Sequence, residues 1–388
     1  MVGRAGGVAL AGVLTVTLVL RAPITGVPPA LPVLTGALGL GPVAAGLVTT
    51  LPLICFGVFA FVTPPLSDRF GAERTLWLAV LALAAGQLVR PSGGSGPFFA
   101  GTLLLGTGIA VGNVIVPAIA RARFAHRLAP VMGAYAVTIN LSGAAGAFAT
   151  APLLEAGWTW QRAIGVWVPP TLAALALWTA ALVGLRRHDR RTGRLAARPT
   201  GLGAIARRPL AWAIAMVMGL QSLVFYSLVA WIPLIVVGHG LSTGAGGLAA
   251  GLFSVLGVPG SYLGPRLTQA RRPAVAFGAL GLAFGAGLLM LLHPALALPG
   301  AALCGFCQGF TLAAALTFIA HQRRPEDVPA VSTLAQGAGY LLAATGPVIL
   351  GALVDATASY TAGNVVLVVM VAAMVVAAVA VSRAEREA

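Results

Sequence analysis

The chain has 388 residues, of which 59% are hydrophobic and 9% are charged, and its mean hydropathy is +0.95. Because soluble domains carry about 25% charged residues, this composition excludes an ordinary soluble protein and predicts an integral membrane protein in a lipid bilayer. The formal net charge of +15 does not predict a nucleic-acid partner, since the 24 basic residues, all arginine, lie in short clusters between apolar runs.

Apolar runs long enough to cross a bilayer follow one another along the whole chain. A spanning helix needs about 20 residues, and the pattern predicts twelve of them. The predicted spans lie near 7–29, 43–66, 75–92, 98–120, 131–154, 161–185, 210–237, 243–266, 273–292, 297–320, 329–354 and 361–382. The loop arginines fall on the side of the N-terminus, with only Arg90 and Arg162 on the other side. The positive-inside rule therefore predicts that both termini are cytoplasmic.

The first predicted span contains a charged residue, Arg21, in the stretch L-R-A-P-I-T-G-V-P-P. An arginine near the middle of a spanning helix costs about 2.5–3.5 kcal/mol on insertion scales. No Asp, Glu or Lys lies among the interior polar residues that could neutralise it. The missing partner is then a ligand, either an anion or a molecule with a strong acceptor, which a forked guanidinium binds well. The alternative is that Arg21 lies higher and snorkels to the outer interface.

The most basic stretch divides the chain into two. We predict an N-terminal six-helix half at 1–185, an arginine-rich cytoplasmic linker at 186–209 and a C-terminal six-helix half at 210–388. Neither half shows a phosphate-binding Gly-Lys motif or a catalytic constellation, so no enzyme, cofactor or metal site is predicted.

The two halves are related to each other at an offset of about 200 residues, as in transporters built from repeats. At that offset Asn140 aligns with Tyr340, and Glu155 aligns with Asp355. Two parallel six-helix repeats with a substrate bound between them at mid-membrane describe the major facilitator architecture. The predicted fold class is therefore an all-α integral membrane protein with twelve transmembrane helices.

The loop after the second predicted span, P-P-L-S-D-R-F-G-A-E-R, resembles the major facilitator signature between the second and third helices. Asp68, Arg69, Gly71 and Arg74 match that signature, whereas its first glycine is a proline here. In that superfamily the Asp and Arg latch the cytoplasmic ends of the two halves in the outward-open state. The resemblance implies the same gating role for these four residues, and the alternative is a generic charged turn.

A narrower resemblance covers nearly the whole chain. The stretches L-R-A-P-I-T-G-V-P-P, L-V-T-T-L-P-L-I-C-F-G-V-F-A, G-L-Q-S-L-V-F-Y-S-L-V-A-W-I-P and A-Q-G-A-G-Y-L-L-A-A-T-G-P are similar to the cyanate transporter and nitroimidazole transporter family. That family moves small compact solutes, cyanate in one branch and nitroimidazoles in another. The resemblance implies a secondary transporter of the bacterial inner membrane.

The remaining interior polar residues are candidates for the same site as Arg21. We predict that the substrate-binding residues are Arg21, Thr25, Asn113, Gln221, Tyr226, Gln308, Gln336 and Tyr340. Aligning Pro28 with Pro233 makes Tyr226 the repeat-mate of Arg21, and Gln336 and Tyr340 share one helix face because they are four residues apart. The alternative for each residue is an ordinary interhelical hydrogen bond, worth about 0.6–2 kcal/mol.

The pattern as a whole predicts a monomeric transporter of a small polar solute that works by alternating access. The favoured solute is a small anion, cyanate-like or carboxylate-like, held by Arg21. One alternative is export of a neutral nitroimidazole-like or other small drug-like heterocycle. A further alternative is a non-transporting membrane receptor on the same fold.

Overall fold

The computed structural model describes residues 4–40, 42–192 and 201–387, and part of the predicted linker, 193–200, lies outside them. Throughout the described residues the chain is helical, with no strand. In the N-terminal half the helices are α1 (Arg4–Val19), α2 (Ala22–Thr25), α3 (Leu31–Leu38), α4 (Pro42–Ala60), α5 (Thr63–Phe70), α6 (Ala72–Val89), α7 (Ser95–Phe124), α8 (Leu128–Glu155), α9 (Trp160–Gly165) and α10 (Val168–Thr192). In the C-terminal half they are α11 (Leu202–Ile205), α12 (Pro209–Gly238), α13 (Thr243–Thr268), α14 (Pro273–Met290), α15 (Ala297–Ala320), α16 (Val328–Thr357) and α17 (Tyr360–Glu387).

The number of spanning helices agrees with the predicted twelve. Within the described ranges, ten stretches are long and apolar enough to cross a membrane, and a helix pair bent by 52°, Leu47–Ala60 with Thr63–Phe70, makes an eleventh. One of the ten, Ser95–Glu155, contains two helices, α7 and α8, which meet at a 3₁₀ turn over Ala125–Arg127. The twelve-helix, all-α fold class is confirmed.

Among the boundaries that differ from the predicted spans, those of the first and sixth spans have identifiable reasons. The first span is predicted over 7–29, and its prolines predict a local break; α1 ends at Val19 because Pro23, four residues later, has no N–H for the Val19 carbonyl. Pro28 and Pro29 begin a separate 3₁₀ turn. The sixth span is predicted to end at 185, but α10 continues to Thr192, since no glycine or proline interrupts the sequence before Gly193.

Most described arginines outside the spans lie at one end of the bundle, which we call the arginine-rich end. The chain reaches this end at 70–72, 125–127, 201–208, 268–272 and 321–327. Contacts between these turns hold the end together: Glu73 forms an ion pair with Arg123 at 2.7 Å, and Arg386 donates to the carbonyl of Arg271 at 2.8 Å. The opposite end carries the exposed carboxylates Glu155 and Asp355.

Helix α13 packs closely against a helix of its own half and also against the other half. In α13 and α15, a Cβ at Gly260 or Gly309 would collide with the backbone of the other helix. Helix α13 also packs against α8 of the other half, where Asn140 donates to Ser261 at 2.5 Å. This packing places the middles of α8 and α13 at the centre of the molecule, next to the break after α1.

Candidate substrate-binding site

The break after α1 is fixed by side chains of α8. Arg21 precedes the first turn of α2, and its N–H and that of Ala22 both donate to the hydroxyl of Ser142, at 3.2 and 2.9 Å. The hydroxyl of Thr25 donates to the carbonyl of Gly143 at 2.9 Å. These bonds satisfy backbone groups that an unbroken helix would have paired internally. Thr25, predicted to bind substrate, is therefore occupied in holding the break.

A second buried arginine completes the break from α6. Arg90 lies one residue past α6, is 3% exposed, and donates from Nη1 to the carbonyl of Pro23 at 2.8 Å. Its guanidinium carbon lies 4.9 Å from the ring centroid of Phe98. The sequence places Arg90 simply at an outer helix end, whereas the structure ties it to the backbone next to Arg21.

The side chain of Arg21 points into the protein and is 6% exposed. Its Nη1 makes a long contact of 3.5 Å with Oδ1 of Asn140, and its guanidinium carbon lies 4.1 Å from the ring centroid of Phe225. Asn140 is near the middle of α8, and Phe225 is near the middle of α12. The guanidinium thus lies at mid-bundle. The snorkelling alternative requires it to extend toward one end of the bundle, and it does not.

Arg21 has no carboxylate partner within the described residues. The ion pairs found there, Glu73 with Arg123 and Arg208 with Asp327 at 2.6 Å, lie at the arginine-rich end. An uncompensated buried charge is costly. The arrangement therefore favours a ligand that brings negative charge or a strong acceptor to this point.

Three tyrosines face this charge. The hydroxyls of Tyr226, Tyr135 and Tyr340 all lie close enough to the guanidinium of Arg21 to interact with its charge. Asn113 joins two of the phenols: its Nδ2 donates to Tyr340 at 3.4 Å, and its Oδ1 accepts from Tyr135 at 3.5 Å. The structure thus brings four predicted residues, Arg21, Asn113, Tyr226 and Tyr340, into one cluster.

Aromatic rings from both halves pack around the same cluster. Tyr226 packs edge-on against Phe225 at 5.0 Å and lies 6.3 Å from Tyr340, measured between ring centroids. Phe56 of α4 packs edge-on against Tyr340 at 5.1 Å. Such a lining suits a flat, compact ligand whose faces are apolar and whose edge is polar.

The predicted glutamines form a second polar group beside the first. Nε2 of Gln308 donates to the carbonyl and to Oε1 of Gln221, at 3.1 and 2.9 Å. Nε2 of Gln336 donates to the carbonyl of Asn113 at 3.0 Å. That carbonyl lacks its usual helical donor because Pro117, four residues later in α7, has no N–H.

The sequence-based candidates omit several residues of the cluster. Tyr135, Asn140 and Ser142 are not among them, yet Asn140 and Ser142 contact Arg21 or its backbone and Tyr135 hydrogen-bonds to Asn113. Their signal in the sequence is their spacing with Gly143 in α8, since a polar residue beside a small one often marks a helix interface in membranes. That signal does not distinguish a binding residue from a packing residue.

The four residues of the predicted latch lie at the arginine-rich end. Asp68, Arg69 and Arg74 are exposed, and Asp68 has no ion pair among the described residues. The guanidinium carbon of Arg69 lies 5.3 Å from the ring centroid of Phe70. Gly71 has a φ of +81°, which explains the glycine at this turn between α5 and α6.

Other residues join the halves at this end. Nη2 of Arg121, near the end of α7, donates to the carbonyl of Gln322 at 2.9 Å, just beyond α15. The hydroxyl of Ser332 in α16 donates to the carbonyl of Val114 in α7, also at 2.9 Å. The two halves therefore touch at the arginine-rich end in this structure.

Comparisons with known proteins agree with this architecture. The family model of the Major Facilitator Superfamily matches residues 13–301. The chain is 34% identical over 359 residues to a 2-nitroimidazole transporter of Escherichia coli (strain K12), which covers 91% of this chain and 90% of that protein. It is 26% identical over 348 residues to the cyanate transport protein CynX of the same organism, covering 88% of both.

A solved structure shares the fold at low sequence identity. The proton:xylose symporter XylE superimposes with a TM-score of 0.76 at 14% identity, covering 96% of this chain and 94% of that chain. The chain belongs to the Major Facilitator Superfamily, as the resemblance implied. It is a multi-pass membrane transporter of small solutes and not an enzyme.

Proposed function

We propose that this transporter moves a small anion, cyanate-like or carboxylate-like, with Arg21 as the main binding group. The observation that carries the proposal is a guanidinium 6% exposed at mid-bundle, with no carboxylate partner in the described part of the chain. A solute with one negative charge would neutralise that site. The forked donors of a guanidinium suit two acceptor atoms at once, and the nearby phenols can donate further hydrogen bonds.

A second candidate solute is a neutral nitroimidazole-like heterocycle. The aromatic lining from Phe56, Phe225, Tyr226 and Tyr340 favours a flat ring, because offset or edge-on contacts between rings are favourable. A nitro group presents two oxygens to Arg21 much as a carboxylate does, without the charge. A relative named as a 2-nitroimidazole transporter adds support.

The transport cycle that we propose is a rocking of the halves 1–185 and 210–388 about the central site, with the chain acting as a monomer. Because its bacterial relatives are transporters and its loop arginines are asymmetric, we place it in a bacterial inner membrane. The arginine-rich end is then cytoplasmic, as are both termini. We propose the same gating role for Asp68, Arg69, Gly71 and Arg74, although Asp68 makes no ion pair among the described residues while the halves touch at this end.

The test is counterflow in proteoliposomes with a solute panel containing cyanate, small carboxylates and 2-nitroimidazole. We expect internal unlabelled solute to drive uptake of the labelled solute, and Arg21→Ala to abolish that uptake. An imposed membrane potential should change the net uptake of an anion that moves alone, because it carries charge, and should leave the net uptake of a neutral heterocycle unchanged. Binding without counterflow would instead indicate a receptor, and counterflow that survives in Arg21→Ala would remove Arg21 from its role.

A further inference from the structure

Two buried glutamines beside the site have an unused acceptor. Gln308 is 2% exposed and Gln336 is 1% exposed, and Oε1 of each has no hydrogen-bond donor among the described residues. The oxygen and nitrogen of an amide are alike in size, so their hydrogen-bond partners decide which is which. Here the assignment is fixed, because Nε2 of each glutamine faces a backbone carbonyl, of Gln221 and Asn113 respectively, which only an N–H can bond.

An unpaired buried carbonyl is expensive. Leaving a buried acceptor unsatisfied destabilises the protein, and most buried polar atoms in proteins have a partner. In Gln308 and Gln336, Nε2 donates to the protein whereas Oε1 accepts no hydrogen bond from the described residues. This is the arrangement expected of a side chain that is oriented in advance for a donor from outside the protein.

Both glutamines lie on one side of Arg21, toward the arginine-rich end. Gln336 comes four residues before Tyr340 on α16, and Gln221, the partner of Gln308, comes four residues before Phe225 on α12. Both helices begin at the arginine-rich end, so each glutamine is about 6 Å nearer to that end than the aromatic residue that follows it. The site therefore has a layer of donors around Arg21 and a layer of free acceptors about one helical turn away.

Hydrogen bonds connect the two layers. Asn140, which contacts Arg21, donates to Ser261, and Ser261 donates to the carbonyl of Gly309 at 3.2 Å, next in the chain to Gln308. On the other side, Tyr340 is joined to Gln336 through the side chain and carbonyl of Asn113. The acceptor layer is thus part of the same polar network as Arg21.

We propose that the transported solute carries an N–H or O–H donor opposite its acceptor group, and that Oε1 of Gln308 or Gln336 accepts from it. This inference rests on the proposed function and narrows both of its solute classes to their donor-bearing members. Small single-ring azoles with a nitro or carboxylate substituent have this chemistry. Acceptor-only anions such as cyanate leave the two carbonyls unsatisfied and bind less tightly.

Matched pairs of solutes that differ by one donor test the proposal. One pair is 4-nitroimidazole and 1-methyl-4-nitroimidazole, and the other is pyrrole-3-carboxylate and its 1-methyl derivative; in each pair the ring nitrogen lies across the ring from the nitro or carboxylate group. In wild-type proteoliposomes we expect the N–H member of a transported pair to compete in counterflow about tenfold better, because the N-methyl member loses a hydrogen bond to a buried acceptor. Gln308→Met and Gln336→Met remove the acceptors while keeping side-chain length, and at least one of them should reduce that preference to less than about twofold.

The chain offers a matched control in Gln87 of α6, which is 3% exposed but has no hydrogen bond to the cluster. Gln87→Met should keep the full N–H preference. If the N-methyl member competes equally well in wild-type protein, the proposal is wrong. Ordered water bound to Oε1 of Gln308 and Gln336 would then explain why these atoms have no donor among the described residues of the protein. An unchanged preference in both Gln308→Met and Gln336→Met overturns it too.

Failure of the proposed function has a different result. If counterflow is independent of Arg21, or neither pair is transported, the proposed role of Arg21 falls along with this inference. If Arg21→Ala abolishes counterflow while N-methylation has no effect, only the donor requirement is wrong. If the glutamine variants fail to fold, the comparison of N–H and N-methyl solutes in wild-type protein is the test: a preference for the N–H member supports the proposal and equal competition contradicts it.

Discussion

Helices α1 and α12 are the predicted counterparts in the two halves, yet they contribute to the site in different ways. Helix α1 stops at Val19 and its chain turns through a proline-rich break, whereas α12 runs unbroken from Pro209 to Gly238 with Pro233 inside it. A break frees backbone groups, and in a membrane these must be bonded by neighbours or lie within the protein. Ser142 and Arg90 bond them here.

The comparison shows that the broken helix carries the charge and the intact helix carries neutral groups. Arg21 enters from the break of α1, while α12 supplies Phe225, Tyr226 and Gln221. A substrate bound between the halves would therefore be held by charge on one side and by rings and amides on the other. Variants on each side should separate these contributions.

The largest effect is expected from removing the charge. Arg21→Ala should weaken solute binding by on the order of 100-fold or more, since a forked guanidinium can make two charge-assisted hydrogen bonds, each contributing about 1.5–3 kcal/mol. Arg21→Lys should fail nearly as badly, because an ammonium lacks the forked geometry. Equilibrium binding to purified protein measures this, with the apparent unfolding temperature confirming that each variant is folded. Tight binding by a folded Ala variant contradicts the assignment.

The break itself should depend on Ser142. Ser142→Ala leaves the buried N–H groups of Arg21 and Ala22 without their acceptor, at a cost of about 1–3 kcal/mol for each. We expect a lower apparent unfolding temperature and weaker binding together. Ser254→Ala in α13 is the matched control, because the hydroxyl of Ser254 only bonds a carbonyl of its own helix. If both serine variants behave alike, the hydroxyl of Ser142 is not what holds the break.

A smaller effect is expected on the side of the intact helix. Tyr226→Phe removes one neutral hydrogen-bonding group and keeps the ring, so binding should weaken by about 3- to 10-fold. Tyr262→Phe makes the same change at a tyrosine that is 64% exposed and should leave binding unchanged. If Tyr226→Phe weakens binding as much as Arg21→Ala does, the main binding contribution does not come from the charge on the broken helix.

The proposed latch should affect the position of the halves more than the site. Asp68→Asn should raise the population that is open at the arginine-rich end, without changing binding more than about twofold, since exposed ion pairs contribute at most about 1 kcal/mol. Distances between spin labels on 67–74 and 266–272 measure this. Glu326→Gln, the same charge change at the same end, serves as the comparison. Identical distance distributions in wild type and Asp68→Asn count against the latch.

The smallest effect is expected at the exposed acids. Glu155 and Asp355 lie in corresponding places at the opposite end, away from Arg21. Glu155→Gln and Asp355→Asn should each leave any pH-driven uptake intact, and counterflow should persist without a pH gradient. If either variant abolishes pH-driven uptake but keeps counterflow, that carboxylate carries the proton.

The sequence by itself determined the class of fold and the presence of an unusual charge. A bilayer core requires long apolar runs, so twelve spans could be read from hydropathy and arginine placement. The cost of an intramembrane charge likewise singles out Arg21 from its position in the first apolar run. The prolines after it indicate irregular backbone, although the predicted span runs through to 29.

Tertiary structure alone decided how the polar residues are used. Arg21 and Asn140 are 119 residues apart, and Gln336 and Asn113 are 223 apart, so no local pattern reveals their contact. In sequence, Thr25 and Tyr226 are equally plausible binding residues, yet the hydroxyl of Thr25 holds a helix break and the hydroxyl of Tyr226 lies near the charge of Arg21. The physical reason is that a buried polar group is defined by its partner, and these partners come from helices that are brought together only when the chain folds.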